Sequence, residues 1–467
     1  MDLAVAAAAV LGSGGGISAT GRPVALIGRD PRASGEFLEA AVVAGLASSG
    51  VDVLRLGVIP TPGVAYLTAA LDATFSVVIS ASHNPARDNG IKFFGRGGVK
   101  LADAVEDDIE ARLRAPQAPS PQAPSPQAPS PQAPSPQAPS PQAPSPKAQS
   151  RQAPSPLAGP PDREFGRVSD ASGEHEQYLE HLLATLGDQP EPLAGLRVVA
   201  DCAHGAAYRL APQALRRAGA EVIVIGASPD GLNINEGCGS TALGALSAAV
   251  VEHGADAGIA YDGDADRCLA VDADGQPLDG DQILTLLATG LKEAGRLAGD
   301  AVVVTVMTNQ GFHVAMGEAG IEVIETPVGD KHVSTAMRGG GYVLGGEQSG
   351  HIIMGEHATT GDGVLTSLHL LAAVSRHGVP LAAAAKMMPK YPQVLVNVPG
   401  DASRLGPEVT AAVRRAEAQL GGDGRILVRP SGTEPTIRLM IQARDAALAE
   451  RVIGQLAEEV QRALAGR

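Results

Sequence analysis

The stretch Ala257-Gly258-Ile259-Ala260-Tyr261-Asp262-Gly263-Asp264-Ala265-Asp266-Arg267 joins a short apolar run to a loop that carries three carboxylates. The run predicts a buried strand, because it is apolar, short and followed by turn-forming residues. Upstream of it the pattern predicts a strand at 196–201, a helix at 206–218, a strand at 221–225 and a helix at 241–252. Strands that alternate with helices form right-handed β-α-β units and a largely parallel sheet. The stretch therefore indicates an α/β fold.

The same alternation recurs on both sides of this block and changes near the carboxyl terminus. The flanking blocks have predicted strands at 23–28, 51–56 and 75–80 with a helix at 34–49, and strands at 301–305, 321–325 and 342–344. The last segment has predicted strands at 393–398, 425–428 and 436–443 and long helices at 402–419 and 446–464. We therefore predict three similar α/β domains with mixed or parallel sheets, followed by a C-terminal α+β domain. The predicted bounds are residues 1–171, 172–275, 276–388 and 389–467.

Composition and charge limit the classes of partner. The 467 residues include 36 basic and 51 acidic side chains, which gives a formal net charge of −15. An acidic balance without basic clusters argues against nucleic acid and anionic membranes, and no apolar run approaches the roughly 18 residues of a membrane span. Residues 1–10 predict a helix rather than a signal peptide, because no basic segment precedes them. Cys202, Cys238 and Cys268 form no CxxC pair, so we expect a cytoplasmic protein.

A proline-rich spacer interrupts the first predicted domain. From Pro116 to Ser145 the sequence Pro-Gln-Ala-Pro-Ser occurs six times, two degenerate copies continue to Ser155, and a further proline-containing stretch ends at Pro161. Such a composition cannot bury a core and predicts an extended, polyproline-like segment at 116–161. A tandem-repeat expansion in a surface loop is the preferred interpretation, while an SH3-type ligand and a glycosylated stalk remain open.

The loop after the strand at 257–261 is a candidate metal site. Asp262, Asp264 and Asp266 alternate, and three converging carboxylates favour a hard cation such as Mg²⁺ or Ca²⁺. An EF-hand is excluded, since Arg267 stands where that loop needs glycine. A phosphatase nucleophile at the first aspartate fits the third aspartate and the arginine poorly, and a solvated acidic turn is the simpler alternative.

A second candidate follows the strand at 75–80, in Ser80-Ala81-Ser82-His83-Asn84-Pro85. A serine in the loop after a parallel strand lies at the crevice where α/β sheets bind ligands. This favours Ser82 over Ser80 as a nucleophile, with His83 as a proton shuttle and Lys92 as a fixed positive charge. Ordinary turn chemistry at the Asn-Pro and Asn-Gly pairs is the competing interpretation.

Two further motifs suit a phosphorylated sugar. In Gly345-Gly346-Glu347-Gln348-Ser349-Gly350-His351 a carboxylate and a hydroxyl lie between glycines, which lets both meet sugar hydroxyls. Asp362, a little downstream, suits a helix cap. In Arg429-Pro430-Ser431-Gly432-Thr433-Glu434-Pro435, with Arg438 nearby, two arginines and two hydroxyls could cradle a phosphate dianion. Structural turns remain the alternative for both.

Taken together, the four motifs resemble the α-D-phosphohexomutase superfamily, whose members have four domains around a central cleft. The branch that the chain resembles most is that of the bacterial phosphoglucosamine mutases. The segments that carry this closer resemblance are 28–35, 79–85, 88–94, 229–235 and 346–351.

The resemblance implies an isomerase that interconverts glucosamine 6-phosphate and glucosamine 1-phosphate, feeding UDP-N-acetylglucosamine and cell-wall synthesis. It implies a phosphoserine, one Mg²⁺ and a sugar 1,6-bisphosphate that is both intermediate and activator. The implied metal ligands are Ser82, Asp262, Asp264 and Asp266. The implied catalytic residues are Ser82, Lys92, Arg267 and the two acid/base candidates His83 and His351, between which the sequence offers no choice. The implied substrate contacts are Asp330, Glu347, Ser349, Arg429, Ser431, Gly432, Thr433 and Arg438.

One departure from the superfamily keeps alternatives open. Its members open with a strand and a Gly-Thr-Asp-Gly-x-Arg-Gly loop whose arginine reaches the active site, whereas this sequence begins at Met1-Asp2-Leu3 without an equivalent. We therefore expect the first domain to lack a strand and part of its phosphate environment, through a misassigned start or an inactive paralogue that only binds sugar phosphates. A phosphomannomutase/phosphoglucomutase is the nearer alternative, and the expected assembly is a monomer or homodimer.

Overall fold

The computed structural model describes residues 1–12, 21–114, 165–401, 405–421, 424–430 and 435–465. The spacer predicted at 116–161 lies outside these residues. Among the helices that the structure describes, none combines the length and the apolar character that a bilayer crossing needs.

The first sheet has six strands in the order β5-β4-β3-β1-β2-β6. Strands β1, β2, β3 and β6 run parallel, while β4 and β5 return antiparallel. The strands are β1 (Val24–Arg29), β2 (Asp52–Val58), β3 (Phe75–Ile79), β4 (Ile91–Gly95), β5 (Val99–Lys100) and β6 (Val168–Asp170). Its helices are α1 (Asp2–Leu11), α2 (Ser34–Ser48), α3 (Thr61–Ala70) and α4 (Asp103–Arg114).

The second sheet has five strands in the order β11-β10-β9-β7-β8, with β8, β7 and β9 parallel. The strands are β7 (Arg197–Asp201), β8 (Glu221–Ile225), β9 (Ala257–Tyr261), β10 (Cys268–Asp272) and β11 (Pro277–Leu278). The helices of this block are α5 (His175–Ala184), α6 (Leu210–Arg217) and α7 (Gly244–His253).

The third sheet has four strands in the order β13-β12-β14-β15, with β15 antiparallel to the others. The strands are β12 (Ala301–Thr305), β13 (Glu322–Thr326), β14 (Leu344–Gly346) and β15 (Ile352–Met354). The helices are α8 (Gly280–Glu293), α9 (Gln310–Glu318), α10 (Asp330–Gly340), α11 (Gly363–His377) and α12 (Leu381–Ala384).

The last sheet is antiparallel, in the order β16-β18-β17, and two helices pack with it. Its elements are β16 (Gln393–Pro399), α13 (Pro407–Leu420), β17 (Gly424–Pro430), β18 (Thr436–Ala443) and α14 (Ala446–Ala465). Short 3-10 helices elsewhere in the chain are Ser172–Glu174, Ala206–Tyr208, Gly239–Thr241, Ala298–Asp300 and Ala385–Met387. The C-terminal segment is α+β, as predicted.

The first three sheets share one strand arrangement. In each, a central strand has a parallel neighbour on both sides, and the third strand in chain order turns back into an antiparallel fourth. The connections at these turns are residues 80–90, 262–267 and 347–351. Three of the motifs singled out from the sequence therefore occupy equivalent positions in three similar blocks.

The cores follow the same division. One continuous hydrophobic core runs through the first three blocks, and the C-terminal block has a core of its own. Buried hydrogen bonds join the blocks within the shared core, from Tyr178 to Asp362 at 2.8 Å and between Tyr261 and Ser367 at 2.8 Å. The first three blocks are consequently packed as one unit around the motif loops.

The structure differs from the predicted elements in several places, among them the helix predicted at 206–218, which is a 3-10 turn followed by α6, and the helix predicted at 241–252, which begins at Gly244. The antiparallel strands β4, β10 and β15 were not predicted. The strand predicted at 342–344 is instead β14, because the Tyr342 N–H still bonds to Met337 at the end of α10. The helix predicted at 402–419 begins at Pro407, whose fixed φ suits the first turn of a helix.

Candidate functional site

The loop between β3 and β4 presents Ser82 to the carboxylate cluster. Its hydroxyl donates to Asp262 Oδ2 at 2.5 Å, and the backbone of Ser82 has φ +50°, a left-handed conformation that is uncommon for a residue with a side chain. The other serine has a different place, since Ser80 Oγ donates to Asp30 at 2.6 Å and accepts the Ser82 N–H at 2.9 Å. Of the two serines, only Ser82 directs its hydroxyl to the carboxylates.

The loop between β9 and β10 gathers three buried carboxylates. One oxygen from each of Asp262, Asp264 and Asp266 lies within 4.8 Å of the others. Asp264 Oδ2 accepts from Thr61 Oγ1 at 2.6 Å and from Lys92 Nζ at 2.7 Å. Its Oδ1, and Oδ1 of Asp266, are buried without a hydrogen-bond partner among the residues that the structure describes. Buried, unpartnered carboxylate oxygens fit a hard divalent cation, so this cluster could bind a metal ion.

Two carboxyl groups of the cluster have pKa values that are shifted in opposite directions. Burial, reinforced by Asp266 and Asp264, raises the pKa of Asp262 well above its ordinary value. Burial also opposes ionisation of Asp266, but Lys92, His351 and Arg267 outweigh it and hold its pKa well below the ordinary value. The same carboxylates overcome burial to raise the pKa of Lys92. Negative charge is therefore favoured on Asp266, which carries one of the unpartnered oxygens.

The loops approach each other too closely for a side chain at Gly263. A Cβ atom there would lie 2.5 Å from the carbonyl oxygen of Ser82 and 2.8 Å from Nδ2 of Asn235. Glycine at this position allows the loop of residues 262–267 to pack against the loop of residues 80–90, which we call the serine loop. The contact between Ser82 and Asp262 depends on that approach.

The two histidine candidates have different surroundings. His83 is exposed, with Nδ1 3.4 Å from Ser82 Oγ, and desolvation together with Arg267 lowers its pKa. His351 is buried; its Nε2 accepts the Gly361 N–H at 3.0 Å and its Nδ1 lies 3.6 Å from Asp266. Because Nε2 accepts a hydrogen bond, the ring proton belongs on Nδ1, facing Asp266.

The candidate sugar contacts lie on the third block, beside this cluster. Asp330, at the start of α10, pairs with Lys100 of β5 and lies 3.7 Å from His351 Nε2. Burial opposes its ionisation, but His351 and Lys100 lower its pKa. Glu347 accepts the Gly329 N–H at 3.1 Å. The Ser349 hydroxyl oxygen is buried and has no hydrogen-bond partner in the described part of the chain.

The phosphate motif is described only in part. Arg429 of β17 and Arg438 of β18 lie directly opposite each other, which places both on one face of the C-terminal sheet. Ser431, Gly432 and Thr433 lie outside the described residues. The structure thus pairs the two arginines, and the cradle itself stays a prediction.

Sequence analysis gave no role to several residues that touch the site. Thr61 donates to Asp264, Lys100 pairs with Asp330, Asn235 donates to the Ser82 carbonyl, and Arg32 donates to four carbonyls of the serine loop. The only signal for Arg32 was its place in the segment 28–35, which carried the resemblance. Asn235 likewise lies in a resembling segment, 229–235, whereas Thr61 and Lys100 stand in stretches that no motif marked.

Comparison with known proteins identifies the family. Four domain models of phosphoglucomutase/phosphomannomutase match: alpha/beta/alpha domain I at residues 1–119, domain II at 176–275, domain III at 279–391 and the C-terminal domain at 393–459. A phosphoglucosamine mutase of Thermobifida fusca is 55% identical over 464 residues, which are 99% of this chain and 93% of that protein. The chain belongs to the phosphoglucomutase/phosphomannomutase family. The predicted family and fold class are confirmed.

Solved members of this phosphohexomutase family have the same fold. A phosphoglucomutase/phosphomannomutase family protein from Burkholderia thailandensis aligns with a TM-score of 0.74 at 22% identity, covering 99% of this chain and 93% of that one. An Aspergillus fumigatus N-acetylphosphoglucosamine mutase in complex with GlcNAc-6P and magnesium aligns with a TM-score of 0.62 at 17% identity, covering 90% and 94%. At these identities the likeness supports the fold alone.

Proposed function

We propose that this phosphohexomutase is an isomerase that interconverts glucosamine 6-phosphate and glucosamine 1-phosphate, with Ser82 carrying the phosphoryl group. One observation carries the proposal: the Ser82 hydroxyl lies 2.5 Å from Asp262, inside a buried carboxylate cluster. The choice of glucosamine rests on the relative named phosphoglucosamine mutase at 55% identity over 99% of the chain.

Asp262, Asp264 and Asp266, with an oxygen of phosphorylated Ser82, are the residues that would hold Mg²⁺. When bound, the ion would draw negative charge from the phosphoryl group and from the departing serine oxygen. Lys92 keeps its positive charge next to Asp264, and Arg267 adds a second cation. Both side chains lower the electrostatic barrier to attack by a neutral hydroxyl on a charged phosphoryl group.

In the first transfer the sugar 1-hydroxyl attacks the phosphorus on Ser82. The new bond joins O1 to phosphorus, the bond from phosphorus to Ser82 Oγ breaks, and the hydroxyl proton passes to a base. His83 suits that task, because its lowered pKa keeps the imidazole neutral near pH 7 and Nδ1 lies 3.4 Å from Ser82 Oγ. His351, buried against Asp266, suits the role of orienting a metal ligand instead.

The second transfer returns a phosphoryl group to Ser82. The 1,6-bisphosphate turns over in the cleft, Ser82 Oγ attacks the 6-phosphate, O6 leaves with a proton, and glucosamine 1-phosphate remains. A clamp that accepts either phosphate is needed, and we assign it to Arg429, Ser431, Gly432, Thr433 and Arg438. We assign the ring hydroxyls to Asp330, Glu347 and Ser349, all on the block that carries α10.

Turnover of three sugar phosphates by the purified chain tests this proposal. With Mg²⁺ and catalytic glucose 1,6-bisphosphate, we expect glucosamine 6-phosphate to be converted faster than mannose or glucose 6-phosphate. Faster conversion of mannose or glucose phosphate would support the phosphomannomutase/phosphoglucomutase alternative, and binding without turnover would support an inactive paralogue.

The role of Ser82 is tested with Ser80 as its matched control. We expect phosphopeptide mapping to place the phosphate on Ser82, and Ser82→Ala to lose several orders of magnitude in kcat, since the phosphoryl carrier is gone. Ser80→Ala keeps the Ser82 hydroxyl and should retain phosphate at position 82. Phosphate on Ser80, or undiminished turnover by Ser82→Ala, would contradict the assignment.

A further inference from the structure

The side chain of Arg32 is fully buried beneath the serine loop, with a relative exposure of 0%. Its Nε donates to Asp30 Oδ2 at 2.8 Å. One terminal nitrogen donates to the carbonyls of Ser82 and Asn84, both at 2.9 Å, and the other donates to those of Pro85 and Asp88. All five N–H groups of the guanidinium are therefore used, four of them on one short loop.

The carboxylate that pairs with Arg32 also holds the other side of Ser82. Asp30 Oδ2 accepts from Ser80 Oγ at 2.6 Å, and Ser80 Oγ in turn accepts the Ser82 N–H at 2.9 Å. The carbonyl of Ser82 thus accepts directly from the Arg32 guanidinium. The Ser82 N–H is linked to the same guanidinium through the side chains of Ser80 and Asp30. Each polar side chain of this network, those of Arg32, Asp30 and Ser80, has a hydrogen-bond partner, as a buried network requires.

A residue of the second block, Asn235, also donates hydrogen bonds to the serine loop. Nδ2 of Asn235 donates to the carbonyls of Ser82 at 2.9 Å and Asn84 at 3.1 Å, the two that share one nitrogen of Arg32. Asn235 is itself fixed, since its own N–H bonds to Ala203. Two side chains from separate blocks converge on the carbonyl oxygen of a residue whose φ is +50°.

A left-handed backbone at a non-glycine residue is strained and persists only where its surroundings impose it. With an ordinary φ, Ser82 would direct its side chain elsewhere and lose the 2.5 Å contact with Asp262. A lysine could not replace the arginine, because its ammonium has three donors and no planar fork. The hydrogen bonds from Arg32 and Asn235 to the Ser82 backbone therefore favour the direction of the Ser82 side chain.

We propose that Arg32, together with Asn235, is a positioning residue that locks Ser82 in the conformation that aims its oxygen at the carboxylate cluster. This deepens the proposed function and rests on Ser82 being the phosphoryl carrier. Neither side chain donates to the carboxylates of the cluster, so their effect passes through the backbone of Ser82.

Arg32→Lys tests the lock, with Arg29→Lys as its matched control. Arg29 stands in the same segment, but its Nε donates to Glu39 at 3.0 Å and a terminal nitrogen donates to the Asp30 carbonyl at 3.3 Å. Within the described residues these hydrogen bonds do not reach the serine loop. We expect Arg32→Lys to lower kcat by about 100-fold, the scale of a displaced reacting group, and to change KM by less than about 3-fold, since substrate contacts remain. Arg29→Lys should retain kcat.

Asn235→Ala keeps the test decisive where Arg32→Lys fails to fold, because its side chain is only partly buried. We expect a kcat about 10-fold lower at unchanged KM, and a shifted, broadened phosphorus NMR line of phosphorylated Ser82. Wild-type kcat in a folded Arg32→Lys protein overturns the lock; if that variant does not fold, wild-type kcat and an unchanged NMR line in Asn235→Ala overturn it. A wild-type chain without phosphate on Ser82 or mutase turnover would instead contradict the proposed function.

Discussion

Asp264 joins two blocks of the protein through one carboxylate. Its Oδ2 accepts from Thr61 of α3 and from Lys92 of β4, and its backbone carbonyl accepts the Thr61 N–H at 2.9 Å. This leaves Oδ1 as the oxygen available to a cation. Two hydrogen bonds to one oxygen fix the orientation of the other, as outer contacts do at metal sites.

Asp264→Asn is expected to remove activity without unfolding the protein. Loss of a metal ligand should lower kcat/KM by at least about 100-fold, whereas reduced repulsion among the carboxylates limits any loss of stability. Mg²⁺ should raise the Tm of the wild type and leave that of the variant unchanged.

Asp274→Asn is the control for that experiment, because Asp274 is an exposed carboxylate on the turn after β10. It should keep both activity and the Mg²⁺ response. Full activity of Asp264→Asn without added Mg²⁺ would contradict the metal assignment.

At this scale the sequence predicts side chains that carry chemistry and misses those that only hold them. The sequence singles out Ser82 and the alternating aspartates, because reactive groups at the end of a strand indicate a ligand site, and the structure brings them together; their roles stay a prediction. Arg32 could not, since its partners are backbone carbonyls about 50 residues away, as in its bond to Ser82. Because every residue has a backbone carbonyl, the residue types do not show which carbonyls accept a hydrogen bond from Arg32.

Helix α11 contacts the segment after α5 through a half-buried histidine. His369 Nε2 is 2.9 Å from Thr185 Oγ1, and its ring stacks on His357 at a centroid distance of 5.5 Å. Burial, followed by the nearby His357, Arg296 and Arg376, lowers the pKa of His369 to about 3. In the folded protein the imidazole therefore stays neutral at pH values well above 3.

Acid should lower the free energy of unfolding through His369, and the variant His369→Gln should lack this part of the pH dependence. The folded-state pKa lies below the unfolded value of 6.5, so below that pH the unfolded chain binds the extra proton and stability falls as pH falls. Between pH 6.5 and 5 the wild type should lose about 2 kcal/mol that the variant does not. Denaturant unfolding of both proteins measures the difference, with pH 8 as the reference. Equal pH dependence would contradict it.

At the element scale, the repeated α/β blocks could be predicted and their return strands could not. The period of strands and helices gave the parallel parts of each sheet. Strands β4, β10 and β15 follow directly on the motif loops and are short, so the pattern merged them with the motifs. Each pairs antiparallel with the strand just before it, as Cys268 does with Tyr261, and a single short strand that follows a motif shows no alternation of its own.

Across the whole molecule, ion pairs join the first and third blocks beside the cleft. Lys331 of α10 pairs with Glu106 at 2.8 Å and with Asp103, both on α4, and Lys100 pairs with Asp330. A cavity of about 520 Å³ lies next to them, lined in part by Lys92, Lys100 and Asp330. These pairs join α4 and β5 of the first block to α10 of the third.

A double-mutant cycle on Lys331→Ala and Glu106→Ala should give a small coupling energy. Both side chains are partly exposed, so we expect about 0.2–1 kcal/mol at low salt and little at about 1 M salt, where the Debye length is near 3 Å. The exposed pair of Arg114 and Glu110 within α4 is the control. Coupling well above this range, or unchanged by salt, would show that the pair is desolvated.

The equivalent placement of the three hairpin loops has a consequence for folding. Each sheet can close its own strand pairs locally, but the contacts of Ser82 with Asp262 and of His351 with Asp266 exist only once three separate sheets have docked. A folding intermediate with one or two completed sheets would show native-like helical signal and have no phosphotransferase site. Recovery of activity therefore reports the last docking event of folding, however early the individual blocks acquire their structure.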